Sequence, residues 1–226
     1  MTRVLLITLA CFSVAACDNN DDSTPVTPKA NQPPAIAIAS NTTFGITDLT
    51  TFLFSANAGD PDGNPITVTW TFSDGSTANG LNATKTFSGV QTIEAVATAK
   101  DHAGLSTTSN TITITLGTGT GAWAGTIDLS SCDAGTKGMA ANLTQSRATL
   151  RGTISFPNGL CTGPGGTAQI SADAGRILTS GGVRVSVRVG ASDVAIDGQM
   201  TTSGSEINGT VQVGDRTGIP FTLSRQ

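Results

Sequence analysis

Apolar side chains at every second position constrain the fold of this 226-residue chain more than any other feature. In residues 66–72, Ile66, Val68, Trp70 and Phe72 alternate with three threonines. A period of two places the apolar side chains on one face of a β-strand. The same alternation predicts further strands near residues 52–54, 93–99, 111–116, 183–189 and 221–223.

The amino-acid composition agrees with strands and argues against helices. Glycine accounts for 27 residues, whereas glutamate occurs only at Glu94 and Glu206. Long helices draw on Glu, Lys, Leu and Ala in periodic runs, and the sequence contains no such run. The chain is therefore predicted to be all-β.

The charge balance argues against nucleic acid as a partner. Lys and Arg number 12 against 16 Asp and Glu, which gives a formal net charge of -4. The basic residues are scattered singly along the sequence. Nucleic-acid binding needs a basic patch that neutralises phosphates, so we expect no nucleic-acid partner.

The N-terminus has the layout of a secretory signal. Arg3 precedes an apolar stretch at residues 4–16, which is shorter than the ~20 residues needed to span a bilayer. Residues 14–17 (Val-Ala-Ala-Cys) resemble the lipobox of bacterial lipoproteins. The resemblance implies cleavage of signal peptide 1–16 and acylation of Cys17. A lipid bilayer of the bacterial cell envelope is then the anchor, with the protein facing the periplasm or the cell surface.

Residues 17–34 form the acylated cysteine and a predicted disordered tether. This segment holds four prolines, several acids and almost no apolar residues, so it cannot bury enough surface to order itself. Asp18 resembles the retention signal of inner-membrane lipoproteins in enteric bacteria. That resemblance favours the inner membrane.

Four motifs mark residues 31–117, at residues 31–34 (NQPP), 60–63 (DPDG), 70–75 (WTFSDG) and 101–104 (DHAG). They resemble the motifs of PKD domains, which are immunoglobulin-like modules of extracellular proteins. The resemblance implies a β-sandwich. This chain departs from the family pattern at two positions. Ser73 replaces the usual Gly, and Ile93 replaces the usual aromatic residue and is followed in this chain by small alanines. A thinner core layer is expected there.

The same resemblance implies a possible calcium site. In some PKD-like modules the residues corresponding to Asn31, Asp60, Asp62 and Asp101 bind Ca²⁺, which prefers six to eight oxygen ligands. The alternative is that these side chains stabilise turns through bonds to the backbone. No other cofactor is expected.

A second domain is predicted at residues 122–226, after a flexible linker at 118–121. An apolar-x-Gly-x-apolar pattern recurs there, and each Gly shares a face with its apolar neighbours. Glycine at such positions lets a strand bend sharply inward, as the wall of a barrel requires. Eight or nine strands predict a small antiparallel up-and-down barrel. The pattern occurs at residues 123–127, 150–154, 196–200 and 207–211.

The two ends of this domain resemble calycin-type, lipocalin-like barrels. The resemblance rests on Trp-x-Gly at residues 123–125 and Phe-Thr-Leu-Ser-Arg at residues 221–225. It implies an interior that is either filled or open to one small apolar ligand.

Two cysteines of the second domain are predicted to form a disulfide. Cys11 leaves with the signal peptide and Cys17 is the acylation site, so Cys132 and Cys161 remain as an even pair in an oxidising compartment. The alternative is a metal-binding thiolate pair. Zinc needs four ligands, however, and His102 is the sole histidine and lies in the first domain.

Other residues that suggest chemistry have ordinary structural explanations. His102 lies beside Asp101 in a predicted turn, so we expect it on an exposed loop. Trp70 and Trp123 are candidate ligand platforms, yet both fall on apolar faces that predict core packing. We expect the acids of the second domain on the solvated surface. They are Asp128, Asp133, Asp173, Asp193, Asp197, Glu206 and Asp215.

The sequence thus favours a non-enzymatic, membrane-anchored envelope lipoprotein that contacts a protein or a glycan. A carrier of a small apolar ligand in the barrel is the alternative. An enzyme is the residual hypothesis, because a nucleophile, a base and an orienting group do not occur together in a recognisable pattern.

Overall fold

The computed structural model describes residues 29–89, 92–132, 134–161 and 163–226. The predicted signal peptide, Cys17, Asp18 and most of the tether lie outside these ranges. Residues Gln32–Gln226 form one compact unit. No helix in the described ranges has the length and apolar character needed to cross a membrane.

The N-terminal part of this unit is a β-sandwich, as the sequence predicts. One sheet has the strand order β1-β3-β6, and the other has the order β2-β9-β7-β4-β5 with β8 paired to β7. The pairing of β2 with β9 is parallel. The strands are Ala35–Ser40 (β1), Phe44–Ile46 (β2), Phe52–Gly59 (β3), Ile66–Phe72 (β4), Thr77–Asn79 (β5), Asn82–Lys85 (β6), Thr92–Asp101 (β7), Ser106–Thr108 (β8) and Ile112–Gly117 (β9).

An aromatic cluster fills the sandwich where the sequence predicts a thin core layer. Trp70 pairs across β4 and β7 with Ala97, which is fully buried. Phe54 packs against Trp70 and Phe72 with ring centroids 5.7 and 5.2 Å away. The small alanines of β7 therefore leave room for large rings on the facing strands.

The C-terminal part is a closed antiparallel barrel of eight strands with one additional strand. The ring runs β10-β11-β12-β14-β15-β16-β17-β18 and returns to β10, while β13 pairs with β12. Its strands are Gly121–Asp128 (β10), Thr136–Ser146 (β11), Thr149–Phe156 (β12), Gly166–Ile170 (β13), Gly175–Ile177 (β14), Gly182–Val189 (β15), Ser192–Met200 (β16), Glu206–Val213 (β17) and Arg216–Arg225 (β18).

The repeated glycines lie where neighbouring strands approach most closely. A Cβ atom on Gly125 would collide with the backbone carbonyl of Thr222, and one on Gly152 with that of Asn142. At Gly198 it would lie 2.9 Å from the Phe221 ring. These glycines therefore lie where neighbouring strands leave no room for a side chain; the inward bends expected from the pattern stay a prediction.

Both ends of the barrel are covered. At the distal end, where β10 finishes, the Cys132–Cys161 disulfide joins two loops with Cα atoms 5.5 Å apart, in agreement with the sequence prediction. At the proximal end, where β10 begins, the first domain contributes Ile46, which is fully buried in the barrel core cluster. Phe44 and Leu49 pack against the same cluster.

The linker is held in place and differs from the flexible joint that its composition suggests. Gln145 accepts hydrogen bonds from the backbone N–H of Gly119 (2.7 Å) and from the hydroxyl of Thr118 (3.1 Å). Thr118 is buried, and its carbonyl accepts a hydrogen bond from Arg225. The glycines here serve close packing between the domains rather than flexibility, because Gly119 leaves no room for a side chain beside Leu150.

Candidate functional site

The acidic residues predicted to bind calcium lie in two turns at one end of the sandwich. Asp60 Oδ1 accepts hydrogen bonds from the backbone N–H groups of Asp62 (2.9 Å) and Asn64 (3.2 Å). Asp101 pairs with Ile66 at the end of β7, and its Oδ1 accepts a bond from the Leu105 N–H (2.9 Å). These contacts correspond to the turn-stabilising alternative.

A calcium ion would need more oxygens than these carboxylates bring together. Asp60 Oδ2 is buried and has no hydrogen-bond partner, which suits a cation ligand. Asp62 Oδ2 accepts a bond from the Gln32 N–H (2.7 Å), and Asn31 is exposed. Among the described residues, three or more His, Cys, Asp or Glu side chains do not group around one point. Calcium binding here stays a prediction.

The other titratable candidates lie on the surface. His102 is exposed in the turn after β7, and six of the seven barrel acids are exposed. The seventh, Asp133, falls in a gap of the described ranges. Two hydrogen bonds from Ser130 lower the pKa of Asp128 below its ordinary value. Within the described ranges, no histidine or acid of this set occupies a buried, oriented position of the kind that acid–base catalysis uses.

The two tryptophans lie in the two cores, as their positions predict. Trp70 and Trp123 are 0% and 1% exposed. The Trp123 indole N–H donates to the Gly119 carbonyl (3.1 Å). The guanidinium of Arg225 lies 4.8 Å from the centroid of the Trp123 ring, so the two end motifs of the barrel contact each other. A tryptophan buried in this way is a core residue rather than a ligand platform.

Packed side chains fill the barrel interior. Twenty-six buried residues form one cluster that contains Trp123, Phe156 and Phe221 and extends to both covered ends. A carrier of the lipocalin type needs a cavity of a few hundred Å³ inside its barrel. Each of these side chains is at most 7% exposed, which favours a barrel filled by the protein's own side chains over the carrier alternative.

The outer wall of the barrel carries a feature that the sequence analysis missed. Arg184 pairs with Asp197 (3.4 Å) and Arg188 with Asp193 (4.0 Å) across the hairpin of β15 and β16. The spacing in the sequence contained this signal. Arg188 and Asp193 lie at equal distances on either side of the Gly190-Ala191 turn, and so do Arg184 and Asp197. Recognising it requires the hairpin register, which the linear spacing of charges does not display.

Comparisons with known proteins identify the first domain. Residues 31–116 match the family model described as PKD domain, which confirms the resemblance drawn from the sequence motifs. A comparison with curated proteins found no match.

Two solved structures resemble parts of the chain. One is the PKD domain of an M14-like peptidase from Thermoplasmatales archaeon SCGC AB-540-F20, with 26% identity and a TM-score of 0.35 over 38% of this chain and 98% of that one. The other comes from work on the promiscuous specificity of carbohydrate-binding modules from the β-sandwich superfamily. It has 15% identity and a TM-score of 0.39, over 87% of this chain and 93% of that one.

Proposed function

We propose that this protein is a lipid-anchored lipoprotein of the bacterial cell envelope that binds a protein or glycan through its outer surface and has no catalytic activity. The PKD domain provides one module and the capped barrel provides the other. The lipobox-like segment at residues 14–17 supports the anchor, and Asp18 favours retention at the inner membrane.

One observation carries the binding role: the barrel interior is filled by its own side chains and covered at both ends. An interior ligand therefore has no space, and contact with a partner falls to the outer faces of the two domains. The surface position of His102 and of the described acids of the barrel agrees with binding rather than catalysis.

Metabolic labelling tests the anchor. Cells that express the full chain would be given a fatty acid with a clickable tag and then fractionated. We expect the wild-type chain to carry the label and to sediment with membranes, and the Cys17→Ala variant to lose both properties. Cys132→Ala is the control, because this cysteine lies in the disulfide loop of the barrel. An unlabelled wild-type chain in the soluble fraction would contradict the anchor.

A substrate panel tests the absence of catalysis. The purified chain would be incubated with generic ester, peptide and glycoside substrates. We expect rates equal to those without protein. Turnover that a single substitution in the chain abolishes, for instance at His102 or Asp101, would overturn the non-enzymatic proposal.

A further inference from the structure

Three shallow depressions on the outer wall of the barrel join into one groove. They have volumes of about 360, 300 and 420 Å³. The first two share Arg184, Asp197 and Thr210, and the last two share Ser186, Ala195 and Gln212. We call this continuous depression over β15, β16 and β17 the outer groove.

The outer groove runs along the strands and has a low floor between two ion pairs that cross it. Ser186 and Ala195 are cross-strand partners and form the floor. Two residues before Ser186 lies the Arg184–Asp197 pair, and two residues after it lies the Arg188–Asp193 pair. The two ion pairs are four residues apart along the strand, a separation of about 13 Å. The floor is low because its side chains are small.

The strand β17 completes the groove with uncharged polar groups. Thr210 pairs with Asp197, and Gln212 pairs with Ala195. Next to the first ion pair, Gly198 and Gly209 are cross-strand partners, and both line the first depression. The groove therefore offers guanidinium donors, carboxylate acceptors, and hydroxyl and amide groups that both donate and accept.

This chemistry selects among classes of partner. Protein interfaces rely on aromatic or large apolar anchors. Of the large hydrophobic residues that are exposed in the described part of the chain, only Leu178 borders the groove. The two arginines and two aspartates of the groove sum to zero charge, and Arg176, opposite Arg184, adds one positive charge beside it; a polyanion such as nucleic acid needs several basic residues together. A chain of sugar units presents many hydroxyls, each both donor and acceptor, and carries no charge.

We propose that the outer groove binds a neutral, hydroxyl-rich polysaccharide along strands β15–β17. The ion-paired arginines donate to sugar oxygens, the paired aspartates accept from sugar hydroxyls, and the small floor at Ser186 and Ala195 admits a ring. This proposal rests on the proposed binding role and names the ligand class and the site. Without an aromatic stacking surface the affinity for each sugar is low, so binding requires a polymer that occupies several positions at once.

Native gel electrophoresis with embedded polysaccharide tests the proposal. The purified full chain would be run in gels that contain a β-glucan, amylose, mannan or the acidic polymer polygalacturonate. We expect at least one neutral polymer to retard the protein. We also expect Arg184→Ala and Asp197→Ala each to weaken that retardation about tenfold, the effect of losing a hydrogen bond to a charged group.

The variants come with matched controls. Arg184 and Asp197 have side chains 65% and 68% exposed, so their replacement removes only a surface ion pair and should leave the melting temperature unchanged. Arg151→Ala removes an exposed arginine of β12, outside the groove, and should not alter retardation. Loss of binding in this control to the same extent would overturn the site.

The remaining outcomes separate this proposal from the proposed function. If a neutral polymer retards the groove variants as strongly as the wild type, the outer groove is not the site, although glycan binding by the protein stands. Retardation by polygalacturonate alone would contradict the neutral-glycan proposal. It would show that an acidic polymer binds to the exposed arginines, which include Arg176 opposite Arg184. If no polymer retards the protein, the glycan proposal fails. A protein is then the remaining partner under the proposed function.

Discussion

Single glycines let neighbouring strands of the barrel approach closely. We predict that Gly125→Ala destabilises the protein by about 1–3 kcal/mol, because the added Cβ would collide with the backbone of β18 at Thr222. Thermal unfolding followed by circular dichroism measures the effect. Gly163→Ala is the matched control, since a Cβ at this loop position meets nothing within 4 Å. Equal melting temperatures for both variants would contradict the role of Gly125.

Hydrogen bonds from a neighbouring serine lower the pKa of two aspartates, Asp74 and Asp128. The Ser130 hydroxyl and N–H donate to Asp128 and lower its pKa. Slight burial raises the pKa of Asp74, but hydrogen bonds from Ser76 and the charge of Lys85 outweigh it and lower the pKa overall. A lowered pKa in the folded state stabilises the fold above the unfolded value near 3.8, and this contribution is lost as pH falls below it.

The serine variants test this effect. We predict that Ser130→Ala raises the pKa of Asp128 towards 3.8, because the carboxylate loses its strongest hydrogen bond. A carboxyl NMR titration of the folded protein measures it. Ser76→Ala should raise the pKa of Asp74 in the same way and leave Asp128 unchanged, so each variant is the control for the other. An unshifted Asp128 in the Ser130→Ala protein would refute the assignment.

At the scale of elements, the disulfide stabilises the distal cap of the barrel. The Cys132–Cys161 bond closes a loop with a sequence separation of 29 residues. The chain-entropy model assigns such a loop about 3–4 kcal/mol. We predict that the Cys132→Ser/Cys161→Ser double variant loses stability of this order in a denaturant titration. The wild type in reductant should match it, and a difference below about 1 kcal/mol would contradict the model.

The turns that carry Asp60 and Asp101 are the elements at which a cation effect is expected. If calcium binds there, millimolar Ca²⁺ raises the melting temperature relative to chelator, since a ligand that binds the folded state stabilises it. In that case the wild type shows the rise and Asp60→Asn loses it, because the Asp60 carboxylate has a buried oxygen without a partner. Identical melting temperatures with and without calcium would show that Asp60 and Asp101 stabilise their turns and do not bind calcium.

The sequence predicts strands and their faces well because alternation is a local property. The buried residues of β4 and the inward glycines of the barrel follow directly from spacing in the chain. Contacts between distant segments do not. The parallel pairing of β2 with β9 and the ion pairs of the outer groove depend on how strands are matched, which local patterns leave open. The same limit made the linker look flexible, because its partner Gln145 lies 26 residues from Gly119.

At the scale of the whole molecule, one residue of the first domain is part of the core of the second. Ile46 belongs to β2 of the sandwich but is buried among barrel residues. Hydrogen bonds from Thr50 to the Thr179 carbonyl (2.8 Å) and from Gln145 to the Thr47 carbonyl (3.2 Å) surround it. The domains are therefore expected to unfold together.

Calorimetry tests this coupling. We predict one unfolding transition for the wild type. We expect Ile46→Ala to lose about 2–5 kcal/mol, the usual effect of truncating a buried isoleucine. Leu53→Ala, which shortens a side chain that is 53% exposed, should change stability by less than about 0.5 kcal/mol. Two separate transitions, with Ile46→Ala shifting only one of them, would show that the domains are independent.

The buried position of Ile46 also bears on how such a protein can evolve. Domains of this size are commonly exchanged between genes as self-sufficient parts. Without the first domain, the barrel would expose the apolar surface that Ile46 covers. A different sandwich fused to its N-terminus would need an apolar side chain in the position of Ile46. The structural boundary of the barrel therefore extends into the first domain, to Ile46, and does not coincide with the linker between the two folds.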